Sequence, residues 1–95
     1  MEALSTIRQK IRSEKYKSTD HARTEMQDDD LQVGDIERAI LNGRIEKTLT
    51  EDLRGPRYVV VGRGQSDNAV TVICRVLPTG ILRIITVWSG GLDEE

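Results

Sequence analysis

The hydrophobic positions follow two different rhythms along the chain, helical in the first half and alternating in the second. Leu4, Ile7 and Ile11 lie at i, i+3 and i+7, one face of a short helix with Arg8, Gln9, Lys10 and Arg12 outside. Ser5 is the candidate cap for it. Ser18, Thr19 or Asp20 is placed to cap a second short helix over 21–26, with Ala22 and Met26 facing inward. Leu31, Val33, Ile36 and Ile40 mark a third, near Val33–Leu41, with Asp35 and Glu37 in the first turn, where the helix dipole favours acids. Asn42-Gly43 ends it, Gly43 being expected in the left-handed C′ position.

From there the period shortens to two. Arg44–Thr50 alternates weakly, and its charges suit an edge strand. Arg57–Arg63, Ala69–Leu77 and Ile81–Trp88 read as three further strands, the last two joined by a tight Pro78-Thr79-Gly80 turn. Residues 89–95 read as a flexible tail. Helices followed by strands predict an α+β domain spanning 1–95, with its core over 15–88. Its N-terminal helices pack on a four-stranded antiparallel β-meander. Val70, Val72, Cys74 and Val76 share one strand face and Thr71, Ile73, Arg75 and Leu77 the other. One face covers the helices. The second is too apolar for plain solvent exposure, which points to a partner or substrate on it.

Composition narrows the picture. The chain has 95 residues, no Phe and three aromatics (Tyr16, Tyr58, Trp88), so Val, Ile and Leu must build a small core. Net charge is −2 but unevenly spread: residues 1–24 carry +3, 25–53 carry −6, 54–88 carry +4 and the tail −3. An acidic middle beside a basic sheet half permits a local anion site without a cationic whole. The single cysteine, Cys74, excludes an internal disulfide and suits a reducing cytoplasm. The N-terminus has no signal-peptide pattern, and no apolar run approaches the roughly 20 residues needed to span a bilayer.

The same inventory excludes several chemistries. One His and one Cys cannot supply a structural zinc site. Asp28-Asp29-Asp30 lacks the later ligands of a calcium loop. A nucleophile triad would have only His21 as base and no G-x-S-x-G elbow. No cofactor is expected, since Gly62-Arg63-Gly64 follows no phosphate-loop or dinucleotide pattern and reads as a hairpin loop. What remains is the arginines. Arg57, Arg63, Arg75 and Arg83 lie on or beside neighbouring strands, and guanidinium groups suit phosphate because they donate in a planar, permanently charged fork. Their plainer role is a solvated face or pairing with the acidic middle. Tyr58 and Trp88 suit base stacking or the core. His21 suits a general base or a helix-start hydrogen bond.

Ser18-x-x-His21-Ala22-x-x-x-Met26, the Val33–Gly43 helix, Pro56-Arg57-Tyr58-Val59-Val60-Val61-Gly62 and Ile84-Ile85-Thr86-Val87-Trp88 together resemble a small bacterial family of domains of unknown function. The family pattern runs S-x-H-A-x-x-R-M, a helix, R-Y-x-V-x-G and a closing I-I-T-V, and the match covers roughly residues 15–88. That family is similar to the RelE/ParE, BrnT and MqsR toxins of bacterial toxin–antitoxin pairs. The resemblance implies a RelE-like fold and a toxin that is a metal-independent RNA endonuclease (mRNA interferase). The implied partners are RNA and a cognate antitoxin, such as the small zinc-ribbon type. His21, Arg57, Tyr58 and Thr86 match the pattern. Glu25 stands where the family commonly has Arg, and a carboxylate there would repel phosphate.

On this reading His21 or Tyr58 moves protons, and Arg57, Arg75 and Arg83 stabilise the developing charge. Arg23, Arg63, Lys47, Thr86 and Trp88 contact RNA. The competing expectation is a non-catalytic module or inactive toxin homologue that uses the apolar sheet face to bind an antitoxin or a second copy of itself.

Overall fold

Three helices and a five-stranded mixed sheet make up the computed structural model, which describes residues 3–92. Ile7 and Ile11 are the buried positions of α1 (Ala3–Arg12). Ser5 lies inside this helix rather than at its cap. Thr19 caps α2 (Asp20–Asp28), its side chain accepting from the Ala22 amide at 3.0 Å, and Ala22 and Met26 are the buried positions. α3 (Val33–Asn42) buries Ile36, Ala39 and Ile40. Its Asp35 is also buried and accepts from the Gln32 amide at 2.9 Å, an N-terminal cap formed by the helix's own third residue. The other Asp35 oxygen accepts from the Gln65 amide at 2.7 Å and fixes the loop of a distant hairpin.

The strands are β1 (Tyr16–Ser18), β2 (Arg44–Leu49), β3 (Arg57–Arg63), β4 (Ala69–Val76) and β5 (Leu82–Ser89), in the sheet order β1-β5-β4-β3-β2. β2 is an edge strand, as its charges predict. The expected four-stranded antiparallel meander is corrected by β1, which pairs parallel to β5 through Tyr16–Leu82, Lys17–Arg83 and Ser18–Ile84. Three residues carry no legible period, and their partners lie more than sixty positions away. The chain end is corrected too. Gly90 donates to Ala69 O at 2.8 Å and accepts from the Thr71 hydroxyl at 2.6 Å, and Gly91 O accepts from the Trp88 indole, so Ser89, Gly90 and Gly91 are tied to the sheet. Residues 93–95 of the expected tail lie outside the described residues.

Val60, Val70, Val72, Cys74, Ile84 and Val87 meet the helices' apolar residues in one core. α3 crosses β3 closely. A Cβ at Gly62 would stand 2.0 Å from the Ala39 carbonyl oxygen, so only glycine admits the helix there. Gly43 is a related correction: its φ of −94° and ψ of −164° are extended, not left-handed. The chain passes straight into β2, and a Cβ at Gly43 would meet the Val61 and Ala39 carbonyl oxygens at 2.4 and 2.5 Å. No helix among the described residues is long and apolar enough to cross a membrane.

Candidate functional site

All three helices lie on the face of the sheet that carries Val70, Val72 and Cys74. Successive side chains in a strand point to opposite faces, so Arg57 and Arg75 project from the other, helix-free face. Register aligns them. Lys17 pairs with Arg83 and Arg83 with Arg75, while Tyr58–Cys74 places Arg57 opposite Arg75 one step further along the same ladder. Four neighbouring strands therefore present a basic row across one end of this face. With strands ~4.8 Å apart, the three arginines fall within about 10 Å.

A small cleft opens at this row, about 120 Å³, lined by Thr19, Asp52, Arg54, Arg57, Arg75, Arg83 and Ile85. Ile85 reaches it because β5 bulges: Ile73 pairs with Thr86 but Cys74 with Ile84, leaving Ile85 as the extra residue. Thr19 is held at the rim by its hydroxyl, which donates to Ile85 O at 3.1 Å. Four arginines against one aspartate give the lining a formal charge of +3.

Arg75 is the unusual member. Its side chain is only 4% exposed, and its Nε has no hydrogen-bond partner. The Arg57 Nε is likewise buried and unpartnered. Buried polar groups are ordinarily satisfied, and an unsatisfied one calls for an explanation such as an absent ion. Among the described residues Arg75 has one hydrogen-bond partner, Asp52, whose Oδ2 accepts from Nη2 at 2.7 Å. Asp52 also takes the Arg54 side chain at 3.1 and 3.0 Å and the Arg54 amide at 2.9 Å. The Arg54 side chain, then its amide, with Arg75 behind them, hold the Asp52 carboxyl well below the usual carboxylate range. Arg57 and Arg83 have no carboxylate partner among the described residues.

The other candidate residues divide by position. Thr86, beside Ile73, and Trp88, beside Thr71, share the helix-free face, and the indole of Trp88 donates to Gly91 O at 3.4 Å. Lys47, paired with Val59, is exposed on that face also. Arg63 shares the face but stands at the far end of β3, six residues or roughly 20 Å from Arg57. It is tied to the Asp67 carbonyl at 2.9 Å. Tyr58 faces the other way and packs against the helix-side core. Arg23 lies on the outer side of α2, bonded to Ser18 O at 2.8 Å and to Asp20. His21 is two-thirds exposed, 3.3 Å from Glu25, and is not among the residues lining the cleft. The sheet thus brings Arg57, Arg75 and Arg83 together and leaves His21, Tyr58, Arg23 and Arg63 elsewhere.

Sequence reasoning missed Thr19, Asp52 and Arg54. The available signal was a charged turn, Asp52-Leu53-Arg54, sitting directly before the first arginine strand. Among the described residues no three His, Cys, Asp or Glu side chains are grouped to hold a metal ion.

A family model described as Domain of unknown function (DUF4258) matches residues 18–89, from the last residue of β1 to the end of β5. The match takes in every residue lining the cleft and leaves out α1. No curated protein and no solved structure matches the chain.

Proposed function

Since the chain belongs to the family described as a domain of unknown function (DUF4258), we propose a function from its site. The helix-free sheet face binds RNA through its phosphates, in a RelE-like toxin that cleaves RNA without a metal. The carrying observation is Arg75, a buried guanidinium with an unpartnered Nε beside the unpartnered Nε of Arg57. Guanidinium donors held on neighbouring strands of one cleft suit the charge that develops on a phosphodiester under attack. The adjacent ribose 2′-OH attacks the phosphorus, and the 5′-oxygen of the next nucleotide leaves. The products are a 2′,3′-cyclic phosphate and a 5′-hydroxyl end. Arg57, Arg75 and Arg83 neutralise the phosphorane oxygens, while Lys17 and Lys47 extend the positive surface along the strand. Trp88 offers a stacking face further along. A cognate antitoxin covers this face when the pair is assembled.

A second reading has its own support. Neither His21 nor Tyr58 lines the cleft, and the one carboxylate there, Asp52, is engaged by Arg54 and Arg75, so no free general base stands beside the proposed phosphate position. A module that holds RNA or an antitoxin without cleavage uses the same arginines together with the half-buried apolar side chains of Val61 and Ile73.

Incubating the full chain and its Arg75→Met variant with long single-stranded RNA, with and without EDTA, separates the readings. The nuclease gives EDTA-insensitive fragments with cyclic phosphate ends, lost in the variant. Salt-dependent RNA retention without fragments selects the binding module. Neither retention, cleavage nor growth arrest on expression overturns the RNA function.

A further inference from the structure

We infer that Asp52 occupies the anion site as a built-in competitor, and that the β2–β3 loop must lift it away before an external phosphate reaches Arg75. The inference rests on the phosphate reading above and concerns how that same site is regulated.

The argument begins with the donors. Asp52 accepts from two guanidiniums and one backbone amide, the set of contacts that an oxygen pair of a phosphate would take. Two carboxylate oxygens still leave the Nε groups of Arg57 and Arg75 unpartnered. The site is therefore occupied but under-filled, and an anion with more oxygens satisfies donors that Asp52 cannot reach. Arg83 at the rim adds a further charge without a carboxylate partner of its own.

The loop is built to release. Among the described residues, Asp52 to Arg75 is the one side-chain hydrogen bond that ties residues 50–56 to the sheet. The remaining hydrogen bonds of Asp52 are to its own loop, from Arg54 and, to its backbone carbonyl, from the Gly55 amide at 3.1 Å. Leu53, the next residue, is fully exposed and packs on nothing. When the loop lifts, Asp52 leaves with Arg54 still paired to it, so one carboxylate and one guanidinium depart together. The three sheet arginines are then left with no acid among them.

The competition is read directly from affinity. Full-length wild type, Asp52→Asn and Asp52→Ser are titrated with inorganic phosphate, following the arginine Nε–H resonances, and with a fluorescent single-stranded RNA oligomer by anisotropy. Melting curves confirm that each variant is folded, and the serine variant serves if the asparagine variant is not. The expected result is phosphate and RNA affinity about tenfold tighter in the variants, with the Arg57 and Arg75 Nε–H signals moving together. Equal or weaker binding by the variants, with wild type still binding RNA, makes Asp52 an organiser of Arg75. That outcome overturns the competitor while leaving the phosphate reading intact. No binding of either probe by any folded variant overturns both.

Discussion

Glu25 in α2 accepts a hydrogen bond from the Val87 backbone amide at 3.0 Å, and one turn later Asp29 accepts from Ser89 at 2.8 Å. Four helical residues rise ~6 Å and two strand residues ~6.6 Å, so the spacings match. They match where a partner is needed. β1 ends at the Ser18–Ile84 pair, and beyond it the outer edge of β5 has no strand beside it among the described residues. Thr19 takes up the transition, its amide donating to Ile84 O at 3.0 Å and its hydroxyl to Ile85 O. A helix thus completes an edge through side chains, which shields that edge from pairing with another chain.

Glu25→Ala should therefore destabilise the fold by about 1–3 kcal/mol, the cost of leaving a partly buried amide unpaired. Glu25→Gln keeps an acceptor oxygen and should recover most of that loss. Urea midpoints of the three proteins check the order. Equal midpoints for alanine and glutamine would show that the carboxylate, through His21, matters more than the Val87 bond.

Gly62→Ala is expected to cost about 1–3 kcal/mol or more, because the added methyl meets the backbone of α3 rather than a movable side chain. The same substitution leaves the arginine row untouched, since position 62 looks toward the helices. Thermal melting should fall while RNA retention by the folded fraction holds. A parallel loss of retention would couple the α3 packing to the cleft.

The long elements were legible because each carries its own period. Ala22 and Met26, Ile36 and Ile40, and the arginine strands all sit as their spacing predicts. The convergence of Arg57, Arg75 and Arg83 was legible for the same reason. Tyr58 was readable too: it adjoins Arg57, and alternation sends neighbours to opposite faces. β1 was not readable, because its three residues become a strand only against Leu82–Ile84. The bulge at Ile85 was hidden as well, since an apolar run gives no sign of where alternation skips. Asp52 lies between the two predicted strands, where no period marks a direction, and only the folded loop brings it to Arg75. Glu25 looked like a charge hostile to phosphate; it is committed to Val87 and His21 instead.

Alkaline pH should weaken the fold through two groups. Burial pushes the Cys74 thiol up to about 12, and burial with the Glu37 hydrogen bond pushes the Tyr16 phenol up to about 12. Both pKa values are raised on folding, so their contribution is complete below the unfolded values and is lost as pH climbs toward the folded ones. Between about pH 9 and pH 10.5 the thiol alone accounts for up to ~2 kcal/mol. Urea midpoints across this window should fall, and less steeply in Cys74→Ala. An identical slope in that variant would remove the thiol as a cause. At neutral pH the same burial leaves Cys74 unreactive to an aromatic disulfide reagent until urea unfolds the chain.

Arg75→Met separates stability from function most sharply. Burying a guanidinium with an unpartnered Nε carries a desolvation cost that one bond to Asp52 only partly offsets. Methionine fills similar space without that cost, and Asp52 keeps Arg54 as its partner. Folding stability should therefore stay within about 0.5 kcal/mol of wild type or rise by about 1 kcal/mol. Phosphate binding should fall sharply at the same time. Arg75→Ala should instead be destabilising, because it opens a cavity at the centre of the face. Denaturation and phosphate titration on the same samples test both halves. A loss of more than about 2 kcal/mol in the methionine variant would make Arg75 a structural residue, its charge serving the fold through Asp52 rather than a ligand.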